Sequence, residues 1–317
     1  LNKKLGLSIG LRYEHWEASY EDDWQDINYP GNPPAGNSCT QFNCEPSENM
    51  WGGHVALSYD WYKNLKGYAR IARGFKAGGF NPSLAALQGV AILGSELIPY
   101  QPEYLWNYEL GLKGLWLDGS LSGDLTLFYM DRDNAQLSQS SQQISFDPNS
   151  FVFVTYNGAA RAFGLEASAV WQINDTWQLH GSLGLLDTKV LESEKTSAVS
   201  PNAANRDLAH APSYTLNIGA TYTAAGGWFA RLDINAIDAF YFDVSHNQQS
   251  NAYRLVNLRI GKQWGTWALS AWARNLLDEE YATRGFYFGN EPPLFETTLY
   301  TKFGDPRTYG ITLTYDF

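Results

Sequence analysis

Side-chain polarity in this chain alternates residue by residue, segment after segment. At its end, Tyr309, Ile311, Leu313, Tyr315 and Phe317 alternate with Thr308, Gly310, Thr312, Thr314 and Asp316. Successive strand side chains leave opposite faces, so such a segment forms a strand with one apolar and one small polar face. The same parity runs through Leu5–Tyr13, Tyr104–Leu112, Leu121–Tyr129, Phe163–Trp171, Trp177–Leu185 and Tyr214–Tyr222. Further strands fit 51–62, 227–240, 253–264 and 266–274, and 66–74 is a strand of less clear parity. This amounts to about twelve strands of roughly 10–16 residues, where a globular strand has about 5–6. A strand tilted about 45° needs roughly 9–11 residues to cross a bilayer core. The reading is therefore all-β, an antiparallel transmembrane β-barrel.

The connections support it. Short ones, Tyr62–Leu65, Leu117–Gly119, Ile173–Thr176, Ala224–Gly227 and Gly265–Thr266, alternate with long polar ones at 18–49, 75–101, 133–150, 188–212, 241–251 and 276–305. Short periplasmic turns and long extracellular loops are the asymmetry of outer-membrane barrels. Trp61, Trp116, Trp171, Trp177, Trp228, Trp264 and Trp267 lie beside the short turns, and Tyr13, Trp16, Tyr104, Tyr129, Tyr241 and Tyr253 lie nearer the loops. Two such rows predict aromatic girdles at both membrane interfaces. The other face carries Arg12, Glu14, Asp60, Glu109, Asp124, His180, Arg231, Asp233 and Arg259, read as mutually paired or solvated groups of a wet lumen.

Composition alone misleads. Only 17% of residues are charged, the net charge is −11, and no long apolar run occurs. Mean hydropathy is −0.34. These values suit a water-soluble, sugar-binding protein, yet a barrel gives them too when only alternate residues meet lipid. An acidic chain without a Lys/Arg block excludes nucleic acid as a partner.

Several segments resemble a known family. These are the terminal strand RTYGITLTYDF, the stretch Asn275–Tyr281 (NLLDEEY), Arg73–Asn81 (RGFKAGGFN), Asn157–Glu166 (NGAARAFGLE) and Pro102–Lys113 (PEYLWNYELGLK). In this order they resemble segments of TonB-dependent outer-membrane receptors, and RGFKAGGFN is similar to the siderophore-receptor branch. The resemblance implies the cell outer membrane of a Gram-negative bacterium and a barrel of about 22 strands. It implies that residues 1–317 are the C-terminal portion, with the plug domain and N-terminal strands absent. It also implies no covalent cofactor, a ferric siderophore or related iron chelate as ligand, and TonB, barrel-assembly machinery and outer-membrane lipid as partners. About twelve strands leave two arrangements open, a closed barrel or an open sheet lacking its other half.

Long loops carry binding in such architectures. Arg73, Lys76 and Asn81 in the glycine-rich stretch, Tyr241 and His246 in one loop, and Arg284, Phe286 and Tyr287 in another are the candidate ligand contacts. Arg73 and Lys76 are expected to face the outer vestibule. Aromatic groups with a few polar partners suit catecholate, haem-like or sugar rings. Leu313, Tyr315 and Phe317 are the barrel-assembly signal carried over from the family. Cys39 and Cys44 are expected to form a local disulfide. No metal site is expected. Two alternatives compete: an outer-membrane hydrolase using His180 and Ser182, which lacks a third orienting group, and a soluble lectin-like sandwich.

Overall fold

The computed structural model describes residues 4–21, 43–82, 98–142, 147, 151–193, 204–244 and 246–316. Its main sheet has 12 strands, all joined antiparallel. In chain order they are β1 (Leu5–Glu17), β2 (Ser47–Tyr62), β3 (Leu65–Lys76), β6 (Glu103–Trp116), β7 (Leu121–Gln142), β8 (Phe151–Gln172), β9 (Trp177–Ser193), β10 (Tyr214–Thr223), β11 (Trp228–Ile237), β12 (Tyr253–Trp264), β13 (Trp267–Arg274) and β16 (Thr308–Tyr315). Two short ladders, β4 (Gly79–Phe80) with β5 (Pro99–Tyr100) and β14 (Ala282–Phe288) with β15 (Thr298–Phe303), lie in long connections. Each main-sheet strand pairs with its neighbour in the chain, so the sheet is a meander.

Among the described residues β1 pairs only with β2 and β16 only with β13, so the sheet is open. The accessibility of the apolar face reflects this. Leu11 on β1 is 81% exposed and Ile311 on β16 is 75%, against 41% for Leu127 on an interior strand. A closed barrel has no such edges, and an unpaired edge must otherwise be covered.

The parity reading holds through the sheet. Leu57, Ala69, Leu110 and Leu127 lie in register across β2, β3, β6 and β7 on the apolar face. All seven tryptophans beside the short turns are exposed, from Trp171 at 39% to Trp228 at 51%. At the other rim, Trp51, Trp106, Tyr108 and Tyr129 form a continuous ring ladder. Trp16 departs from the predicted girdle, because it shares the parity of Arg12 and Glu14. Tyr241 also departs, because it sits in a loop.

On the opposite face the polar groups pair with each other, as in a wet lumen. Asp124 accepts from Ser168 Oγ at 2.8 Å, Arg70 lies 3.6 Å from Glu109, and Asp233 takes both Arg231 and His180. His180 Nε2 is 2.9 Å from Asp233 Oδ1, so its lumen partner is a carboxylate and not Ser182. Ser182 stands two residues along β9, about 7 Å away along the strand, beyond a nucleophile–base hydrogen bond. The hydrolase alternative has no geometry to support it.

The loop side differs from the sequence expectation in one important respect. Most of 133–150, expected as a loop, is strand, because β7 runs to Gln142 and β8 starts at Phe151. This hairpin outgrows its neighbours. Its ladder breaks between Arg132 and Ala135, where Asn134 takes φ of 50°. A two-for-one break of this kind bends a strand and re-aims the residues beyond it.

Candidate functional site

The bend is fastened by residues of two of the recognisable motifs. Glu103 begins β6 and is only 8% exposed. Its Oε1 accepts from Arg132 Nε at 2.7 Å, and its Oε2 accepts from Arg132 Nη2 at 2.9 Å and from the Gln136 backbone N–H at 2.8 Å. Asn157 Nδ2 donates to the carbonyls of Asn134 and Gln101, and its Oδ1 accepts from the Gln101 N–H. One carboxylate and one amide thus satisfy the backbone groups that the bulge frees, as buried polar groups require. A third motif residue does the same elsewhere. Asn275, 4% exposed, spans the start of the β13–β14 connection, bonding Glu279 twice and the Asp305 carbonyl.

Against the bent hairpin lean β14 and the segments 206–211 and 240–244. Together they enclose a cavity of about 660 Å³. Its wall includes Arg132, His210, Phe242, Arg284, Phe286 and Tyr287. The size lies within the range of small-molecule sites, roughly 300–1,000 Å³. Gly285 makes the wall possible, since a Cβ there would lie 2.4 Å from the Phe242 ring.

Charge in the wall is uneven. Arg132 is neutralised by Glu103. Asp243 pairs with His246 Nδ1 at 2.8 Å. Arg284 lies 4.4 Å over the Phe286 ring, and no carboxylate pairs with it among the described residues. Tyr287 is 4% exposed and stacks on His246 at 3.7 Å. Its hydroxyl is buried and has no hydrogen-bond partner among the described residues. Burial is the main cause that pushes its phenol up to about 12, with the Asp243 charge adding to it, so it stays a protonated donor at neutral pH. Burial, and then the Arg284 charge, hold the His210 imidazole below its ordinary value.

The His210 shift has a sign that can be tested. Neutral His210 packs against Phe240 at 5.3 Å. The folded value lies below the unfolded one near 6.5, so this packing is fully present above about pH 6.5 and is lost as pH falls through the folded value. Amide exchange over 206–211, corrected for intrinsic rate, is expected to accelerate from pH 7 to pH 5. His210→Phe is expected to flatten that profile. A flat wild-type profile would show that His210 does not hold the wall.

The structure brings together five of the eight candidate contacts. Arg284, Phe286 and Tyr287 line the cavity. His246 lies directly behind Tyr287, and Tyr241 lies 4.5 Å under Arg206, whose guanidinium bonds the Val244 and His246 carbonyls. The other three stand apart. Asn81 is buried and pairs twice with the Thr155 backbone, tying the glycine-rich stretch to β8. Lys76 ends β3 and is exposed. Arg73 does not face the vestibule: it pairs in register with Trp106 and has the parity of Ile71, which puts it on the apolar face. Leu313 and Tyr315 face outward opposite Leu269 and Trp267, and Phe317 lies outside the described residues. Cys44 is disulfide-bonded, while Cys39 lies outside the described residues.

A meander of long strands, apolar on one side and wet on the other, with a loop-built cavity above it, defines a β-barrel protein of the outer-membrane type. Residues 1–276 match the family model for the TonB dependent receptor-like β-barrel, and the chain belongs to that family. Its members are transporters of the outer membrane rather than enzymes. The chain is 25% identical over its whole length to the pesticin receptor of Yersinia pestis, spanning 42% of that protein. Over 67% of its length it is 28% identical to the ferric-pyoverdine M114 receptor PbuA of Pseudomonas sp. (strain M114), covering 24% of it. Among solved structures it superposes on the ferric yersiniabactin uptake receptor FyuA of Yersinia pestis with a TM-score of 0.71 at 20% identity, covering all of this chain and 44% of that one. The siderophore receptor PiuA of Acinetobacter baumannii gives 0.70 at 15% identity, covering 98% of this chain and 40% of that one. The chain thus spans less than half the length of the relatives it matches.

Proposed function

We propose that this chain is the C-terminal barrel part of an outer-membrane receptor that captures a ferric siderophore in the loop cavity, with import energised through TonB. The observation that carries the ligand class is the wall itself. Arg284 has no carboxylate partner among the described residues, and the accessible rings of Phe153, Phe286 and Phe288 line the same wall. An anionic chelate bearing aromatic rings meets charge, hydrogen bonding and stacking at once. Relatives named for ferric siderophores support the same class. Coupling to TonB rests on family membership alone.

The test is direct binding to the full-length protein in detergent. A ferric tris-catecholate probe is titrated while intrinsic fluorescence is followed, with the iron-free chelator as control. Saturable quenching by the iron complex, and much weaker binding of the metal-free form, is the expected result. Quenching that rises without saturation would sink the proposal.

A further inference from the structure

The outward face of β3 reads Leu65, Gly67, Ala69, Ile71, Arg73 from the turn end to the loop end. A cation at the end of a lipid-facing row needs an explanation, since an ionised group beside hydrocarbon is costly unless partnered. The Arg73 guanidinium is held between Trp51 and Tyr104, with its Cζ 4.2 and 4.1 Å from their ring centroids, and Trp106 lies next at 5.9 Å. One N–H donates to the Trp51 carbonyl. Among the described residues no carboxylate pairs with it. The outward carboxylate of Glu17 is already engaged by His15 Nε2 at 2.9 Å. The guanidinium is therefore pre-oriented by stacking, keeps most of its five donors free, and lies in the aromatic row that marks the outer interface.

Toward the membrane interior the same strand is hollowed. A groove of about 350 Å³ runs over Gly67 and Ala69, walled by Leu57, Tyr59 and Trp61 on one flank and Leu110 and Leu112 on the other. Trp61 closes the far end, its ring 3.3 Å from where a Gly67 Cβ would be. Ala69 and Arg73 are four residues apart, about 13 Å along a strand. That is close to half of a hydrocarbon core about 30 Å thick.

We propose that this face binds one phosphate-bearing lipid of the outer leaflet, with a phosphate on Arg73 and an acyl chain in the groove over Ala69. The charge requirement selects an anionic headgroup, and the planar fork of arginine matches phosphate oxygens. The groove selects a chain: two small residues between large ones leave a channel in which a methylene chain gains contact on both flanks. The site is independent of the loop cavity, which lies on other strands and the opposite face.

The experiment uses the full-length protein, delipidated in dodecyl maltoside and titrated with diphosphoryl lipid A. Native mass spectrometry counts the adducts, and the fluorescence of Trp51 and Trp106 beside the guanidinium gives a second readout. Arg73→Gln is expected to weaken lipid binding about tenfold, as loss of a charge-assisted hydrogen bond does. Ala69→Leu fills the groove from the lipid side and is expected to weaken it severalfold with the cation intact. It therefore decides the matter if the arginine variant fails to fold. An equal concentration of inorganic phosphate is expected to displace no lipid. Unchanged lipid occupancy in both variants, or displacement by phosphate alone, would overturn the proposal.

Discussion

Glu103→Ala is expected to destabilise the loop-side architecture by about 1.5–3 kcal/mol, the range for hydrogen bonds to a charged group, because the Arg132 left behind is partly exposed. The substitution leaves the Arg132 guanidinium, the Gln136 N–H and the Arg132–Ala135 bulge without the carboxylate that satisfies them. The loss should stay local at first, because each main-sheet ladder closes through its own backbone pairs. Amide exchange over 133–142 in detergent should therefore accelerate before the membrane-spanning part of β7 responds. Urea unfolding followed by tryptophan fluorescence would give the size of the effect. Glu103→Gln keeps the shape and one acceptor, so it should fall between wild type and Ala. A change below about 1 kcal/mol for Ala would place the pair among weak surface bridges and remove it as the fastening of the hairpin.

Arg284→Glu is expected to have the largest effect on capture. It replaces the wall's unpaired cation by an anion facing an anionic chelate. Affinity for a ferric tris-catecholate should fall by about tenfold to a hundredfold, since hydrogen bonds to charged groups contribute about 1.5–3 kcal/mol each. Arg284→Lys should retain part of it, because a point charge survives while the stacking over Phe286 at 4.4 Å does not. Arg284→Glu has a second, independent readout. Arg284 is one cause of the low His210 value, so removing its charge should raise the pH at which exchange over 206–211 accelerates. Unaltered affinity with a shifted pH profile would show that Arg284 sits in the wall but does not meet ligand.

Glu103, Asn157 and Asn275 all lie inside segments that mark the family, yet nothing local says what a glutamate or asparagine bonds to. Glu103 reaches Arg132 across 29 positions, and Asn157 reaches Gln101 across 56. Their role as clamps appears only when the bulge they serve is visible. The cavity is likewise built from parts distant in the chain. Arg132, His210, Phe242 and Tyr287 converge because the long hairpin bends, and a bulge at Arg132–Ala135 carries no clear signature beyond the Asn at position 134. Arg73 is a different case. Its face follows from β3 parity, but the glycine-rich run just beyond it obscures the register, and a charge beside aromatics suggests a vestibule.

What the sequence determined by itself is the strands, their two faces, the turn and loop ends, and hence the membrane, while the class of receptor came from the resemblance of its motifs. These stem from alternation between adjacent side chains, a property of the extended backbone that needs no tertiary contact. Only the tertiary structure decided which loops meet, which charges remain unpaired where they meet, and which face holds Arg73. Those depend on register across strands and on one bend in one hairpin, where a shift of a single residue exchanges lipid for lumen.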